Sequence, residues 1–188
     1  MYFTPDMEDV IEERESLRDL GVIMNRSASF KDHVHLVTKK VNQKSGWILR
    51  TFKSRDQFFI KYMWKSLIQP HIDYCSQLYM PSSPGELEKI ESLFRNFTRK
   101  IPDFRGMDYW TRLQKLKMYS MQRRMERYRI LYVWKILKGH VPNCGLEFTN
   151  ELNRRGTEVI IPFLKKSSKR EQSFQVHGGK LFNSIPSP

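Results

Sequence analysis

Cysteine is scarce. Two residues, Cys75 and Cys144, are too few for a disulfide framework and cannot supply a four-ligand zinc site unaided. The five histidines do not make up the shortfall, because His33 and His35 stand two apart, on different sides of any helix. Long apolar runs are missing as well. No stretch approaches the roughly 18 apolar residues of a membrane span, and the N-terminus carries no apolar core of a secretory signal. The expectation is a soluble chain with no membrane association, in a reducing intracellular compartment, nuclear or cytoplasmic. Catalytic hallmarks are equally thin. Asp32, Asp56, Asp73, Asp103 and Asp108 offer no pair of adjacent acids to hold Mg²⁺ for two-metal phosphoryl chemistry. The scattered glycines, including "HGG", form no phosphate loop. Cys75 has only His71 as a local base and reads as a buried residue of an aromatic loop. No catalytic residue, metal ligand or cofactor is expected.

Apolar and aromatic residues, by contrast, are plentiful at 39% and 13%, too many for a disordered chain. Positive charge is the outlier, with 33 Lys and Arg against 20 Asp and Glu, a formal charge of +13. Such an excess favours polyanionic partners, nucleic acid before membrane. It is unevenly spread: Asp6, Glu8, Asp9, Glu12, Glu13, Glu15 and Asp19 crowd the first residues, so the whole excess lies further on. That acidic leader is either a solvated segment or one that folds back onto the basic body.

Periodicity places a helical core between two β-like ends. "LRDLGVIMN" reads as a short strand, with "DVIEERES" as its hairpin partner. Ser29 is placed to cap a helix from Phe30, with Val34, Val37, Val41, Ile48 and Phe52 at helical spacing and Lys39, Lys40, Lys44 and Arg50 on its other side. A second helix runs from about Asp56 to Gln69, with Phe59, Met63 and Leu67 in register and Pro70 after it. In "MPSSPGELEKIESLFRNFTRKIP", Ser83, Pro84 and Glu86 form a capping box before the stripe Leu87, Ile90, Phe94, Phe97 and Ile101. Asp108 opens a shorter helix holding Trp110, Leu113 and Leu116, and Ser120 opens the next. Beyond Gly139, "GHVPNCG" is turn chemistry. "TEVIIPFL" and "QSFQV" read as strands around the basic loop "KKSSKR", itself a short import-signal-like run or a solvated loop. The expected division is 1–28, 29–139 and 140–188. The fold class is mainly α, a helical bundle with short β hairpin-like pieces at both ends.

The most informative stretch is "YSMQRRMERYRILYVWKILKG". Met121, Met125, Tyr128, Leu131 and Ile136 form its expected core stripe, and Arg123, Arg124, Arg127, Arg129, Lys135 and Lys138 its basic complement. From Tyr109 to Lys138 nine basic residues face a single acid, Glu126, so pairing along the helix cannot neutralise them. The face is either a solvated one or one built to meet a polyanion.

Several segments, taken in order, carry a resemblance: "LRDLGVIMNRSASFKDHV", "GWILRTFKSRD", "WKSLIQPHIDYCSQLYMP", "LEKIESLFRNFTRKI", "YWTRLQKLKMYSMQRRMERYRILYVWKILKG" and "SFQVHGGKLFNSIP". Together they resemble the part of non-LTR retrotransposon reverse transcriptases, of the jockey and chicken-repeat type, that follows the catalytic palm. The resemblance implies a last palm strand at "LGVIMN", then a thumb-like helical domain and the region after it, cut from a larger RNA-directed DNA polymerase. That family's activity needs palm aspartates, typically in an Asp-Asp turn, and this sequence has no Asp-Asp. The resemblance therefore implies a non-catalytic chain that grips a template–primer duplex or hybrid without sequence preference, with the missing fingers and palm as further partners. Arg123, Arg124, Arg127 and Arg129 match the family's arginine pattern. Lys135, Lys39, Lys40, Lys44 and Arg50 complete the candidate contacts from the residues themselves. The alternative is a protein-interaction or remnant domain with no nucleic-acid partner.

Overall fold

A computed structural model describes residues 14–27, 29–81, 83–149, 158–161 and 173–185. Most of the acidic leader and the loop "KKSSKR" lie outside these. The architecture is mainly helical, with two small antiparallel two-stranded sheets near the ends among the described residues.

The first sheet differs from its expected pairing. "SLRDLGVIMN" folds on itself: β1 (Ser16–Asp19) pairs with β2 (Val22–Asn25), Ser16 opposite Asn25 and Asp19 opposite Val22. The two turn residues, Leu20 and Gly21, have φ of 44° and 87°. A two-residue turn with both φ positive matches the twist of the strands it joins, and glycine makes the second position cheap. The Tyr74 hydroxyl donates to Leu20 O at 2.6 Å, and Ile23 N–H donates to His33 Nδ1 at 3.4 Å, tying the hairpin to the helices.

Helix α1 (Lys31–Thr51) buries Val34, Val37, Val41 and Ile48 as expected, together with His33. Its cap residue is Phe30, without a side-chain bond; Ser29 lies one residue further out and accepts from Lys31 N–H. Next, α2 (Gln57–Met63), a π turn (Trp64–Ile68) and α3 (Gln69–Asp73) form one continuous rod. Pro70 does not end the helix, because the widened turn before it has no i−4 contact for the proline ring to break. The fully buried line is Ile60, Trp64, Ile68 and Ile72, one position on from Phe59, Met63 and Leu67, which are half-buried beside it. A spacing of four suits a rod that contains a π turn.

Cys75, with φ of 53°, breaks the rod before α4 (Ser76–Tyr79). Helix α5 (Pro84–Thr98) starts as its capping box predicts, Ser83 Oγ accepting from Glu86 N–H at 3.1 Å, and its Ile90, Phe94 and Phe97 are buried. Trp64 lies 4.5 Å from Phe94 and 5.4 Å from Phe97, centroid to centroid. This is the middle of the main core, and both α1 and the later α7 pack on α5. Helix α6 (Tyr109–Leu116), capped by Asp108, buries Tyr109, Leu113 and Leu116 and leaves Trp110 in solvent, one residue off the expected stripe.

Helix α7 (Met121–Leu137) is capped by Ser120, which accepts from Arg123 N–H at 3.2 Å. Met121, Met125 and Ile136 are buried as expected; Tyr128 is half-buried and Leu131 exposed, because the inward line runs through Arg129 and Val133 instead. A second, smaller core of Val133, Ile136, Leu146, Val159 and Phe174 gathers on the far half of α7. There β3 (Glu147–Phe148) pairs with β4 (Val159–Ile160), so "TEVIIPFL" finds its partner upstream and not in "QSFQV". "SFQVHGG" is no strand: Ser173 caps a π turn (Phe174–Gly178) that runs into α8 (Gly179–Asn183). The Asn183 side chain both donates to Val159 O and accepts from Val159 N–H, each at 2.9 Å, closing the free edge of β4. A Cβ on Gly179 would come within 2.7 Å of Ile161 and 2.9 Å of Val159, so glycine permits this close packing.

Candidate nucleic-acid interface

The arginines of α7 divide into two pairs with opposite fates. Arg124 turns inward: its Nε and Nη2 meet the two Asp73 carboxylate oxygens, each at 2.9 Å, and Nη2 also donates to the Tyr128 hydroxyl at 2.5 Å. Burial disfavours its charge, but the Asp73 carboxylate outweighs that and raises its pKa. Burial, and then Asp73, push the Tyr128 hydroxyl up as well. Arg129 is more enclosed still, only 2% exposed. It donates from Nε to Gln77 O at 3.0 Å and from Nη2 to Leu78 O at 3.4 Å, and its Nη1 lies 2.8 Å from His177 Nδ1. A guanidinium has only donors, so Nδ1 must be the unprotonated acceptor. Burial lowers Arg129 to about 10, which leaves it charged at neutral pH.

Arg123 and Arg127 face solvent, as do Lys135 and Lys138. The Arg127 guanidinium lies over the exposed Tyr119 ring at 5.8 Å. Spacings of four, four, three and four put Arg123, Arg127, Leu131, Trp134 and Lys138 on one outer stripe, all exposed. At the other end of the helix, the buried Glu91 carboxylate accepts from Gln122 N–H at 3.1 Å and from the Tyr109 hydroxyl. An acid under the N-terminal turn satisfies an open donor and suits the helix dipole. Arg95 and Arg112 lie over the Tyr109 ring at 5.0 and 5.5 Å.

On α1, Lys39, Lys40 and Arg50 are exposed and Lys44 is half-buried. Lys40 and Lys44 stand close enough to His71 on α3 to lower its pKa, after the larger effect of burial. The α1 group and the α7 stripe belong to two helices that both pack on α5. Asp73 and His177, the partners of Arg124 and Arg129, were not identifiable from sequence as such, since 51 and 48 residues separate the members of each pair. Among the described residues no group of three or more His, Cys, Asp or Glu is placed to hold a metal ion. None of the helices among them is long and apolar enough to cross a membrane. Cys75 and Cys144 are free and line the same cleft of about 640 Å³, with Phe30, Met80, Tyr132 and Phe174.

No family model, curated protein or solved structure matches this chain.

Proposed function

We propose that this chain is a thumb-like nucleic-acid-binding unit of the non-LTR reverse transcriptase type, which holds duplex or hybrid backbone without sequence preference and catalyses nothing itself. The observation that carries the reading is the division on α7. Arg124 and Arg129 are engaged inside the fold, while Arg123 and Arg127, their neighbours, stand in solvent with Lys135 and Lys138 and without an acid bridged to them among the described residues. Side-by-side unneutralised guanidinium groups repel, and phosphate relieves that repulsion. The lysines of α1 extend the positive field.

Each phosphate neutralised on duplex DNA releases condensed counterions, giving about −0.9 in the slope of log K against log salt. Four contacts, from Arg123, Arg127, Lys135 and Lys138, predict a slope of roughly −3 to −4, nearly independent of base sequence. Arg123→Ala and Arg127→Ala each flatten it by about 1 and weaken all duplex probes alike. A flat salt response, or no binding at low salt, overturns the reading. It would favour the rival, a protein-interaction surface, which the exposed Leu131 and Trp134 on the same stripe support. The absence of an Asp-Asp pair from the sequence motivates the non-catalytic half of the proposal. Primer extension with Mg²⁺ or Mn²⁺ on a homopolymer template is expected to give nothing above blank.

A further inference from the structure

The outer line of α2 carries Phe58 and Tyr62, four residues apart and 76% and 66% exposed. Rings this open to water contribute little to the core. Beside them, Lys61 reaches across and donates from Nζ to Leu116 O at 2.5 Å, meeting an open carbonyl at the end of α6. That bond brings α2 against the end of α6, where Lys117 follows directly. Burial lowers the Lys61 pKa, and the ammonium groups of Lys65 and Lys117 nearby lower it further. None of the three is bridged to a carboxylate among the described residues. On α6 itself, which Lys117 closes in a left-handed conformation, Gln114 and Trp110, four residues apart, are exposed, Trp110 by 62%. Open rings therefore stand on both of the helices that this cluster of lysines joins.

We propose that this track is a binding site for unpaired nucleotides, with Phe58, Tyr62 and Trp110 stacking on bases and Lys65 and Lys117 holding the phosphates between them. Every base has a π-face, so aromatic side chains along a positive groove hold single strands with little sequence preference. Charge decides between this occupant and a protein. A protein face would have to bury two unpaired ammonium groups, whereas a phosphate chain supplies their counter-charge and its bases supply partners for the rings. The site uses none of the arginines of α7 and stands or falls independently of the duplex reading.

The test compares a thymidine oligonucleotide with an abasic oligonucleotide of equal length, which keeps the phosphates and removes the bases, on the full chain. The thymidine strand is expected to bind about a hundredfold tighter than the abasic one or more, since each of the three stacked bases contributes about fivefold or more. Phe58→Ala and Tyr62→Ala each weaken thymidine binding by about five- to tenfold and leave abasic binding unchanged. Lys65→Ala and Lys117→Ala weaken both strands equally and flatten the salt slope by about 0.7 each. Thermal melting of the aromatic variants should match the parent, since both rings stand in water. Equal affinity for the two strands, or aromatic variants that bind thymidine like the parent, overturns the proposal. Arg123→Ala with Arg127→Ala is the control: it should weaken duplex binding while the preference for bases over abasic strand persists, and loss of that preference overturns a separate site.

Discussion

At the scale of single residues, Arg129 shows how a charge can be held inside a fold without an opposite charge bonded to it. Its guanidinium finds two backbone carbonyls and one imidazole nitrogen, on α4 and in the π turn ahead of α8, so one side chain joins three parts of the chain. Lysine cannot reproduce that fork. Arg129→Lys is expected to destabilise the protein by about 2–3 kcal/mol in urea unfolding, the usual size of a lost charged hydrogen-bond set. The same contact gives a pH dependence. His177 is lowered from 6.5 by burial and then by Arg129, against an opposing effect of Glu126, with Lys180 adding the smallest lowering; His33 is lowered by burial and then by Arg18. A folded-state pKa below the unfolded value means that the unfolded chain takes up the proton first. Stability is therefore full above 6.5 and declines as pH falls through it. Asp56 and Asp108 are held below the ordinary carboxylate value, chiefly by the Ser54 and Thr111 hydroxyls, so they stay ionised in this window. The urea midpoint should be constant above neutrality and drop toward about pH 5. His177→Gln should make that drop shallower, and an unchanged profile would remove His177 from the account.

At the scale of elements, local chemistry was legible and long-range partnership was not. The starts of α5, α6 and α7 could be read because a capping serine or aspartate acts on N–H groups two or three residues away. The stripe of α5 could be read because its register is undisturbed. Trp64 was missed because a π turn shifts the inward line by one position, and nothing in "YMWKSLIQP" announces an i→i−5 bond. Leu131 was misplaced because an inward Arg129 looks, by composition, like a surface residue. What made it internal is a pair of carbonyls some fifty positions upstream, which no window of sequence contains. Arg123 and Arg127 are exposed, as their composition suggested, while Arg124 is held by Asp73, an acid 51 residues away. Where the register is certain the energetics follow. Phe94 is fully buried against Trp64 and Tyr109, so Phe94→Ala should cost about 3–5 kcal/mol in denaturant unfolding. A loss below about 1 kcal/mol would mean that the site collapses around the missing ring or that α5 is not central.

At the scale of the whole molecule, α7 is shared by two cores. Its first half gives Met121 and Met125 to the main cluster, its second half gives Val133 and Ile136 to the smaller one, and Arg129 lies between. The main core draws on α1, α5, α6 and the rod from α2 to α3. The smaller one draws on two strands of two residues each, a π turn and a short helix. Apolar burial sets how much free energy an opening must overcome, and the smaller cluster buries far less of it. The expected order of opening in native-state hydrogen exchange follows from that difference. Amides of α5 should exchange only by global unfolding. Those of Val159 and of α8 should exchange faster, together, through an opening that spares the main core. The β1–β2 hairpin is held to the helices through the Tyr74 and His33 contacts and should open separately from β4. Arg129→Lys, which loosens the junction, should accelerate exchange at Val159 and α8 more than at α5. Equal protection of α5, Val159 and α8, changing in parallel in the variant, would show a single cooperative unit and overturn the two-core account.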